Sequence, residues 1–262
     1  MYKNAKPLFK RLNMYTEKFA SYYDTLHSSK NYKEECDLIL KNSINFSKLL
    51  DIGCGTFTHG IILSKKYEKV LGVDLSEPML KIAEKKIKNL DLKNLETYCG
   101  PLENISPSNF FDTIISMFYV VNHISSLTEL KTFFTKVIGL LNHDGVFIFD
   151  CWNGTACRIE KPNPTSTKTI KHDFHTVISE TKTDTDLLES YSVMNTSVKI
   201  FFESELVDQF NYTLEQKLWT PDIFIDILKS VGFKNIQMIP FYNQHESPKE
   251  TDYKLTFICK KN

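Results

Sequence analysis

Residues 49–60 read LLDIGCGTFTHG, and this stretch decides the fold. The apolar run that ends at Asp51 predicts a short strand. Gly53 and Gly55 predict a tight turn whose backbone approaches a ligand closely, because neither residue has a Cβ. From Thr58 onward the apolar spacing predicts a helix, whose first N–H groups would face the same ligand. The stretch therefore predicts the opening strand, turn and helix of a nucleotide-binding α/β fold.

The chain continues to residue 150 as alternating strands and helices. Short apolar strands are predicted at 69–73, 95–99, 111–117 and 146–150, with helices at 58–67, 76–90 and 126–141. This alternation is typical of a parallel sheet that carries helices on both faces. In such a doubly wound sheet, ligands bind at the carboxyl ends of the strands.

The regions on either side of this core have other patterns. Two helices are predicted before the first strand, and Thr- and Val-rich runs of period two within 170–210 predict antiparallel strands folded over the main sheet. Residues 153–169 are expected to form a loop. The expected organisation is an N-terminal helical lid at 1–46, a cofactor-binding α/β core at 47–152, a β-rich insertion at 153–213 and a C-terminal completion of the core at 214–262.

The composition limits the class of protein. The chain has 262 residues, 42% of them hydrophobic, and 32 basic residues against 32 acidic ones. This balance gives no general attraction to nucleic acid or to an anionic membrane. The first fifteen residues lack the apolar run of a signal peptide, no run is long enough to span a bilayer, and no cysteine pair has metal-binding spacing. We therefore expect a cytoplasmic protein with no metal site and no membrane or nucleic-acid partner.

Two cofactors suit the turn, namely a dinucleotide and S-adenosylmethionine. Asp74 ends the next strand, 74 − 53 = 21 positions after Gly53, where an acid accepts hydrogen bonds from ribose hydroxyls. The dinucleotide fingerprint needs a third glycine, and that position is Thr58 here, with Phe57 before it. This favours S-adenosylmethionine, provided that the ring of Phe57 turns into the protein. A ring that filled the cofactor space would instead indicate a dead site.

The block from residue 49 to residue 150 resembles the class I S-adenosylmethionine-dependent methyltransferases. The matching segments, in order, are DIGCGTF at 51–57, GVDLSEPML at 72–80, FDTI at 111–114 and the glycine of HDGVFIFD at 143–150. The resemblance implies a seven-stranded Rossmann-like sheet whose last strand is reversed, the two C-terminal strand-like runs being the sixth and seventh strands. It also implies S-adenosylmethionine as cofactor and S-adenosylhomocysteine as product.

The resemblance implies a role for each matching residue. The two glycines of the turn would lie against the methionine part of the cofactor, Asp74 would bind the ribose, and Met79 and Leu102 would cover the two faces of the adenine. Many relatives have Gly-Asp after the third strand, whereas this chain has Gly100-Pro101. The residues expected to contact the cofactor are Tyr23, Asp51, Gly53, Gly55, Asp74, Leu75, Met79, Pro101, Leu102, Met117 and Phe118.

Shorter segments resemble the amino-sugar N-methyltransferases. These segments are ASYYD at 20–24, KNY at 30–32, EE at 34–35 and SMF at 116–118 followed by Val121. A histidine that those enzymes place before the last helix is absent here. Tyr23 and His123 are the expected catalytic residues: Tyr23 would close over the cofactor, and His123 is a candidate base for a hydroxyl proton. Trp152, His172 and His175 are further candidates near the transferred methyl group.

Three functions stay open at this point. The first is methyl transfer to a hydroxyl or amino group of a small polar metabolite, such as a sugar or sugar nucleotide, in a carbohydrate-modifying enzyme. The second is an RNA or protein methyltransferase, although the Ser-Met-Phe-Tyr after the fourth strand disfavours base methylation. The third is a non-catalytic cofactor-binding regulatory subunit. The β-rich insertion is expected either to cover the acceptor or to form a homodimer surface.

Overall fold

The computed structural model describes residues 16–106, 108, 110–172 and 175–262, which form two sheets and the helices around them. The larger sheet contains β1 (Lys48–Ile52), β2 (Lys69–Asp74), β3 (Leu95–Cys99), β4 (Phe111–Ser116), β5 (Leu141–Trp152), β10 (Asn235–Pro240) and β11 (Lys254–Lys260). Its strand order is β10-β11-β5-β4-β1-β2-β3. Strand β11 is antiparallel to both of its neighbours, and the other pairs are parallel. The predicted seven-stranded methyltransferase sheet is therefore confirmed.

Helices cover both faces of this sheet, and most of them begin and end within one residue of the expected positions. They are α3 (Thr58–Leu63), α4 (Glu77–Asn89), α5 (Leu127–Leu140) and α7 (Pro221–Val231). The Ser76 side chain accepts a hydrogen bond from the backbone N–H of Met79 and caps α4. Gly232 ends α7 in the left-handed conformation, with φ 113°. Two clusters of buried apolar side chains form the core where these helices pack on the two faces of the sheet.

Several element boundaries differ from the expected ones. The antiparallel strands, expected within 170–210, begin at Thr165 and end at Lys217. Helix α3 ends at Leu63, four residues before the expected end, and its C-cap is Ser64. Strand β5 begins at Leu141, so the expected turn at 142–145 is an irregularity within the strand, where its register against β4 shifts. The expected loop at 153–169 contains α6 (Gly154–Ile159), because Asn153 caps a short helix with its side chain.

The second sheet lies after the core in sequence and is antiparallel, as expected. It consists of β6 (Thr165–His172), β7 (His175–Asp186), β8 (Tyr191–Phe202) and β9 (Glu205–Lys217), paired in that order. One face of this sheet, called the inner face, contains Val177, Val198 and Ile200 and packs on helix α1 (Glu17–Leu26). Val177 and Ser179 of β7 on the inner face are buried, whereas alternate residues of β7 on the other face are exposed to solvent.

Helix α1 lies between the second sheet and the main sheet, and α2 (Tyr32–Asn42) leads from it to β1. Phe19 of α1 packs edge-on against Tyr23 and contacts Phe210 and Tyr212 of β9. No helix among the described residues is long and apolar enough to cross a membrane. The expectation that the first fifteen residues are no signal peptide lies outside the described residues.

Candidate functional site

The turn after β1 places two residues without a Cβ, Gly53 and Gly55, at the carboxyl edge of the sheet. Gly53 and Gly55 have φ of 71° and 55°, a region that strains residues with a Cβ. The N–H groups of Gly53 and Cys54 both donate to the carbonyl oxygen of Val73, at 2.8 and 3.1 Å, which fixes the turn to β2. A Cβ on Gly53 would lie 2.6 Å from a methyl carbon of Val120. The turn therefore requires glycine here for both conformation and space.

Asp74 stands beside this turn at the end of β2. Its Oδ2 accepts from the N–H of Gly55 and its Oδ1 accepts from the N–H of Ser76, both at 2.8 Å. Burial raises the pKa of the Asp74 carboxyl, while the hydrogen bonds from Ser76 and Gly55 oppose the rise. Leu75, the next residue, is exposed at the same edge. The carboxylate is thus held rigidly where the sequence predicts a ribose.

Asp51 is buried and only partly satisfied. Its Oδ2 has no hydrogen-bond partner among the described residues, and the residue is 1% exposed. Burial raises the pKa of the carboxyl to about 7; His59 opposes this rise and Asp74 adds to it. A buried carboxylate oxygen without a donor is costly unless a cation or a donor reaches it. Asp51 therefore has the properties of a binding site for a positively charged group.

Phe57 turns its ring into the protein, as the sequence analysis predicted for a working site. Its φ is 64°, its side chain is fully buried, and it belongs to the apolar cluster under the turn. The ring occupies the space that a Cβ on Gly60 or Gly72 would need, at 2.1 and 2.7 Å from the ring atom Cε2. Two glycines therefore make room for the ring between α3 and β2, away from the exposed face of the turn.

The residues expected around the adenine lie on two sides of the Asp74 edge. Met79 is buried in the first turns of α4, and its Cε would lie 3.3 Å from a Cβ on Gly55. Leu102 is buried in a short 3-10 helix after β3, and Pro101 before it is exposed. Of these three side chains, that of Met79 is the one shown to lie beside the glycine turn.

The backbone after β4 is strained. Met117 is buried in the cluster under the turn, and Phe118 and Tyr119 follow it with φ of 70° and 65°. Asp150 at the end of β5 stabilises this conformation, because its Oδ1 accepts from the N–H of Tyr119 at 2.7 Å. Its Oδ2 accepts from the hydroxyl of Tyr242 at 3.0 Å. Consecutive bulky residues in the left-handed region cluster at functional sites, and these two lie at the ligand edge of the sheet.

Helix α1 is attached to the turn through Asp24. Oδ1 of this residue accepts from the hydroxyl of Thr56 at 2.6 Å, and Oδ2 pairs with Nζ of Lys86 at 2.6 Å. Tyr23, one residue earlier, has its ring centroid 6.4 Å from that of Phe118, edge to face. The structure thus brings the predicted residue Tyr23 together with Phe118 over the carboxyl edge.

A buried group of charges lies behind this edge. Glu35 pairs with Lys30 through one oxygen and with Nε2 of His59 through the other, the latter at 2.5 Å. Burial acts against ionisation of Glu35, but the hydrogen bond and the charge of His59, together with Lys30, hold its pKa below the ordinary value. Nζ of Lys30 also lies 4.6 Å from the ring centroid of Phe118.

The other candidate residues are more dispersed. His123 lies in a short 3-10 helix after β4, and its Nδ1 donates to the carbonyl oxygen of Glu215 at 3.0 Å. Trp152 ends β5, and its buried Nε1 has no partner among the described residues. His175 is exposed and packs against Phe202. The side chain of His172 lies outside the described residues.

Two residues of this site were missed by the sequence reasoning. Tyr242, which binds Asp150, follows β10 at the carboxyl edge of the sheet, and no local pattern indicates it. His27 ends α1, with its ring centroid 4.5 Å from Tyr23 and 4.8 Å from Phe118. A signal for His27 existed, because 27 − 23 = 4 residues places it on the same helix face as Tyr23.

The described residues fit S-adenosylmethionine. The turn presents backbone without Cβ atoms, the free oxygen of Asp51 suits an ammonium group, and Asp74 offers a fixed carboxylate. No group of three or more metal-ligating side chains occurs in the parts of the chain that the structure describes.

Comparisons with known proteins agree with this chemistry. Residues 49–145 match the family model described as "Methyltransferase domain". A crystal structure of a S-adenosylmethionine-dependent methyltransferase from Clostridium acetobutylicum ATCC 824 is 25% identical and covers 93% of this chain and 97% of its own, with a TM-score of 0.78. The protein YqeM of Bacillus subtilis (strain 168) is 25% identical over 82% of this chain and 85% of its own length.

The name of a third relative specifies its substrate, a dTDP-linked amino sugar. The dTDP-3-amino-3,4,6-trideoxy-alpha-D-glucopyranose N,N-dimethyltransferase of Streptomyces venezuelae is 28% identical over 145 residues, which are 53% of this chain and 59% of that protein. The fold, the fit of the site residues to S-adenosylmethionine and the matching domain all indicate a methyltransferase. Residues 49–145 are a methyltransferase domain, and the chain is an S-adenosylmethionine-dependent methyltransferase.

Proposed function

We propose that this enzyme methylates a small polyhydroxylated metabolite, such as a sugar or a sugar nucleotide, in the space between the carboxyl edge of the main sheet and the second sheet. The chemistry of the second sheet's inner face carries this proposal. The sugar N-methyltransferase among the relatives supports the substrate class, although that match covers only about half of either protein.

The inner face has an apolar half and a hydroxyl-bearing half. Cross-strand partners share a face, so the pairs Thr181–Thr196 and Ser192–Gln216 continue the row that contains Val198. Ser192, Thr196 and Gln216 are buried, and the Gln216 Oε1 has no partner among the described residues. Buried hydroxyl and amide groups are the means by which a protein recognises a ligand rich in hydroxyls.

Helix α1 marks the border between these two halves. Nζ of Lys168 donates to the carbonyl oxygen of Leu26 at the end of α1, and Lys168 pairs across the sheet with Ser179. The apolar half therefore packs on α1, and the hydroxyl half extends beyond the end of the helix. Trp152 Nε1 and the hydroxyl of Tyr119 are further buried groups without partners among the described residues. These groups would bind the acceptor's polar atoms.

The cofactor would be held by the residues that the sequence indicates. Gly53 and Gly55 would approach its methionine part, Asp51 would receive the ammonium group, and Asp74 would accept from the ribose hydroxyls. Met79, Pro101 and Leu102 would surround the adenine, with Leu75 at its rim. Met117, Phe118 and Tyr23 would line the space around the sulfur.

The residues of the site serve mainly to position the two reactants. The bound sulfonium supplies the activated methyl group, so the protein must align the acceptor atom with it and exclude water. The N-terminal helices would act as a lid, since α1 is attached to the turn at Thr56 through Asp24. The aromatic rings of Tyr23 and Phe118 would exclude water from the reacting atoms.

Transfer of a labelled methyl group tests this function. Purified full-length protein with labelled S-adenosylmethionine is offered sugar nucleotides, amino sugars, bulk RNA and a protein extract. We expect product with one or more of the sugar compounds, and a methyl group found only in RNA or protein would contradict the proposal. Absence of transfer despite measured S-adenosylhomocysteine binding would favour a cofactor-binding subunit instead.

A pair of isosteric variants then tests the acceptor face. Thr196→Val removes an inner-face hydroxyl, and Thr213→Val removes one from the exposed outer face. We expect the KM for the acceptor to rise about tenfold in Thr196→Val only, because a hydrogen bond contributes roughly 0.5–1.5 kcal/mol. The dissociation constant of S-adenosylhomocysteine should stay unchanged in both.

A further inference from the structure

His27 occupies the junction between the lid and the carboxyl edge of the main sheet. It is the C-cap residue of α1, and its backbone N–H donates to the carbonyl oxygen of Tyr23 at 3.1 Å. Its imidazole stands perpendicular to the ring of Phe118, at 87° and 4.8 Å between centroids. Phe118 belongs to the strained turn directly after β4, so the imidazole lies at the carboxyl edge of the main sheet, where ligands bind in this fold.

His27 combines partial burial with ring nitrogens that have no partner, whereas His175 and His245, which also lack such partners among the described residues, are exposed. No hydrogen bond to either nitrogen occurs among the described residues, although the side chain is partly buried. By contrast, His59 is paired with Glu35, His123 donates to the carbonyl oxygen of Glu215, and His143 lies beside Asp144. An imidazole that packs on two aromatic rings with both nitrogens unengaged is available to a ligand.

The charges around His27 favour the neutral imidazole. Lys168 approaches from β6 and Lys30 from the segment after α1, while Asp24 is the acidic group of α1 that faces it. Burial, followed by Lys168 and Lys30, lowers the pKa of His27 to about 4, against a smaller opposing contribution from Asp24. The imidazole is therefore neutral near pH 7, and one nitrogen holds a free lone pair.

We propose that His27 is the proton acceptor for methylation of a hydroxyl group on the acceptor molecule. This inference rests on the proposed function and deepens it. As the oxygen lone pair forms the new bond to the methyl carbon, the carbon–sulfur bond breaks and its electrons remain on sulfur. The hydroxyl proton passes to the free nitrogen of His27, and the imidazolium returns it to water when the product leaves.

The chemistry of the two acceptor types explains why a hydroxyl is specified. An alcohol must lose its proton in the transition state, because a protonated ether is a very strong acid, and even a weak base assists that step. A protonated amine has a pKa of about 8–10, so an imidazole of low basicity does not deprotonate it. His27 therefore points to O-methylation, whereas the named sugar relative methylates nitrogen.

The test compares His27→Gln with two other histidine variants in the full chain, using matched sugar nucleotides that carry either a hydroxyl or an amino group. We expect methylation of the hydroxyl compound, and a loss of kcat of about 10²–10⁴-fold in His27→Gln. The dissociation constant of S-adenosylhomocysteine should be unchanged, which also shows that the variant is folded. His143→Gln, far from the site, should keep wild-type activity.

Chemical rescue separates a proton acceptor from a packing residue. Added imidazole should restore part of the activity of His27→Gly and none of that of a folded Phe118→Ala variant. Full activity of His27→Gln toward the hydroxyl compound, a loss confined to His123→Gln, or methylation of the amino compound alone by the wild type would each overturn the proposal.

Failure of the proposed function gives a different result from failure of this inference. If the wild-type enzyme methylates no sugar compound, the proposed function fails, and His27 is judged by NMR titration of the S-adenosylhomocysteine complex. An imidazole that stays neutral well below pH 6 and responds to the bound ligand supports the assignment. An ordinary titration near pH 6.5, unaffected by the ligand, overturns it.

Discussion

The two sides of the site are built in different ways. The proposed cofactor side is centred on the turn after β1 and the end of β2, where hydrogen bonds join residues 19 or 20 positions apart, as in Gly55–Asp74 and Gly53–Val73. The proposed acceptor side combines α1, the inner face of the second sheet and the segment after β10, and its contacts join residues up to 190 positions apart. Local chemistry therefore defines the first side, and tertiary packing defines the second.

Because of this difference, the two sides should tolerate substitutions to different extents. A turn fixed by hydrogen bonds to its own neighbouring strand keeps its shape whatever covers it. The acceptor side depends on packing between separate elements, and it can change its polar groups without disturbing the cofactor turn. The hydroxyl half of the inner face is such a set of exchangeable groups.

The largest expected effect tests whether Phe57 belongs to the core. Phe57→Gly should lower the free energy of unfolding by about 1–4 kcal/mol, because loss of a buried phenyl ring costs roughly 3–5 kcal/mol and relief of its left-handed backbone returns roughly 1–2 kcal/mol. Urea unfolding measures this. An unchanged midpoint would show that the ring does not pack between Gly60 and Gly72.

A double-mutant cycle between Phe57 and Gly60 tests directly whether the Phe57 ring contacts Gly60. Gly60→Ala should destabilise the wild type by about 1–3 kcal/mol, because the new Cβ meets the Phe57 ring, and should stabilise Phe57→Gly by up to about 1 kcal/mol. Gly139→Ala in α5, where a Cβ meets nothing within 4 Å, is the control and should stabilise both backgrounds equally. Additive effects at Gly60 would contradict the contact.

The next effect concerns the carboxylate of the cofactor side. Asp74→Ala should weaken S-adenosylhomocysteine binding by about 10- to 100-fold, since hydrogen bonds to a charged group contribute roughly 1.5–3 kcal/mol. Asp74→Asn keeps one acceptor oxygen, so its affinity for S-adenosylhomocysteine should lie between those of the wild type and Asp74→Ala. Asp184→Ala, on the exposed face of β7, is the matched control. Calorimetry with unchanged affinity in Asp74→Ala would remove Asp74 from the cofactor site.

The sequence predicted more of the cofactor side than of the acceptor side, because the first depends on local signals and the second on tertiary packing. Residues 49–80 carry their strand, turn and cap signals locally, so β1, the turn and the N-cap at Ser76 follow from composition and spacing. Tyr242 reaches Asp150 because the order β5-β11-β10, with β11 antiparallel to both neighbours, places the end of β10 at the carboxyl edge of the sheet, and no local pattern encodes that. The helix in residues 154–159 was missed because a single Asn cap in a Pro- and Gly-rich stretch resembles a turn.

A smaller effect follows from the pKa of Asp51, which is about 7 in the folded protein and near 4 when unfolded. Its folded pKa is raised, so the stability that it contributes is fully present below about pH 4 and is lost as the pH rises through about 7. Binding has the opposite sign, because an ammonium group binds the ionised carboxyl. S-adenosylhomocysteine affinity should rise by up to about tenfold from pH 6 to pH 8.

Asp51→Asn separates these two consequences. The variant should be more stable than wild type at pH 8 without ligand, and its affinity for S-adenosylhomocysteine should no longer change between pH 6 and pH 8. Calorimetry at several pH values measures both. The same pH-dependent rise in Asp51→Asn would assign the titration to another group, with Asp74 the first to consider because burial raises its pKa as well.

The smallest effect tests the attachment of the lid to the turn. Asp24→Asn weakens the ion pair to Lys86, which is partly exposed and therefore contributes only about 0.5–1 kcal/mol. S-adenosylhomocysteine should dissociate about two- to fivefold faster, as measured by stopped-flow fluorescence, and wild type should approach the variant at high salt. Asp37→Asn on the exposed side of α2 should leave the rate unchanged. A rate equally insensitive to both variants would mean that α1 opens without breaking this contact, and that the two sides of the site move independently.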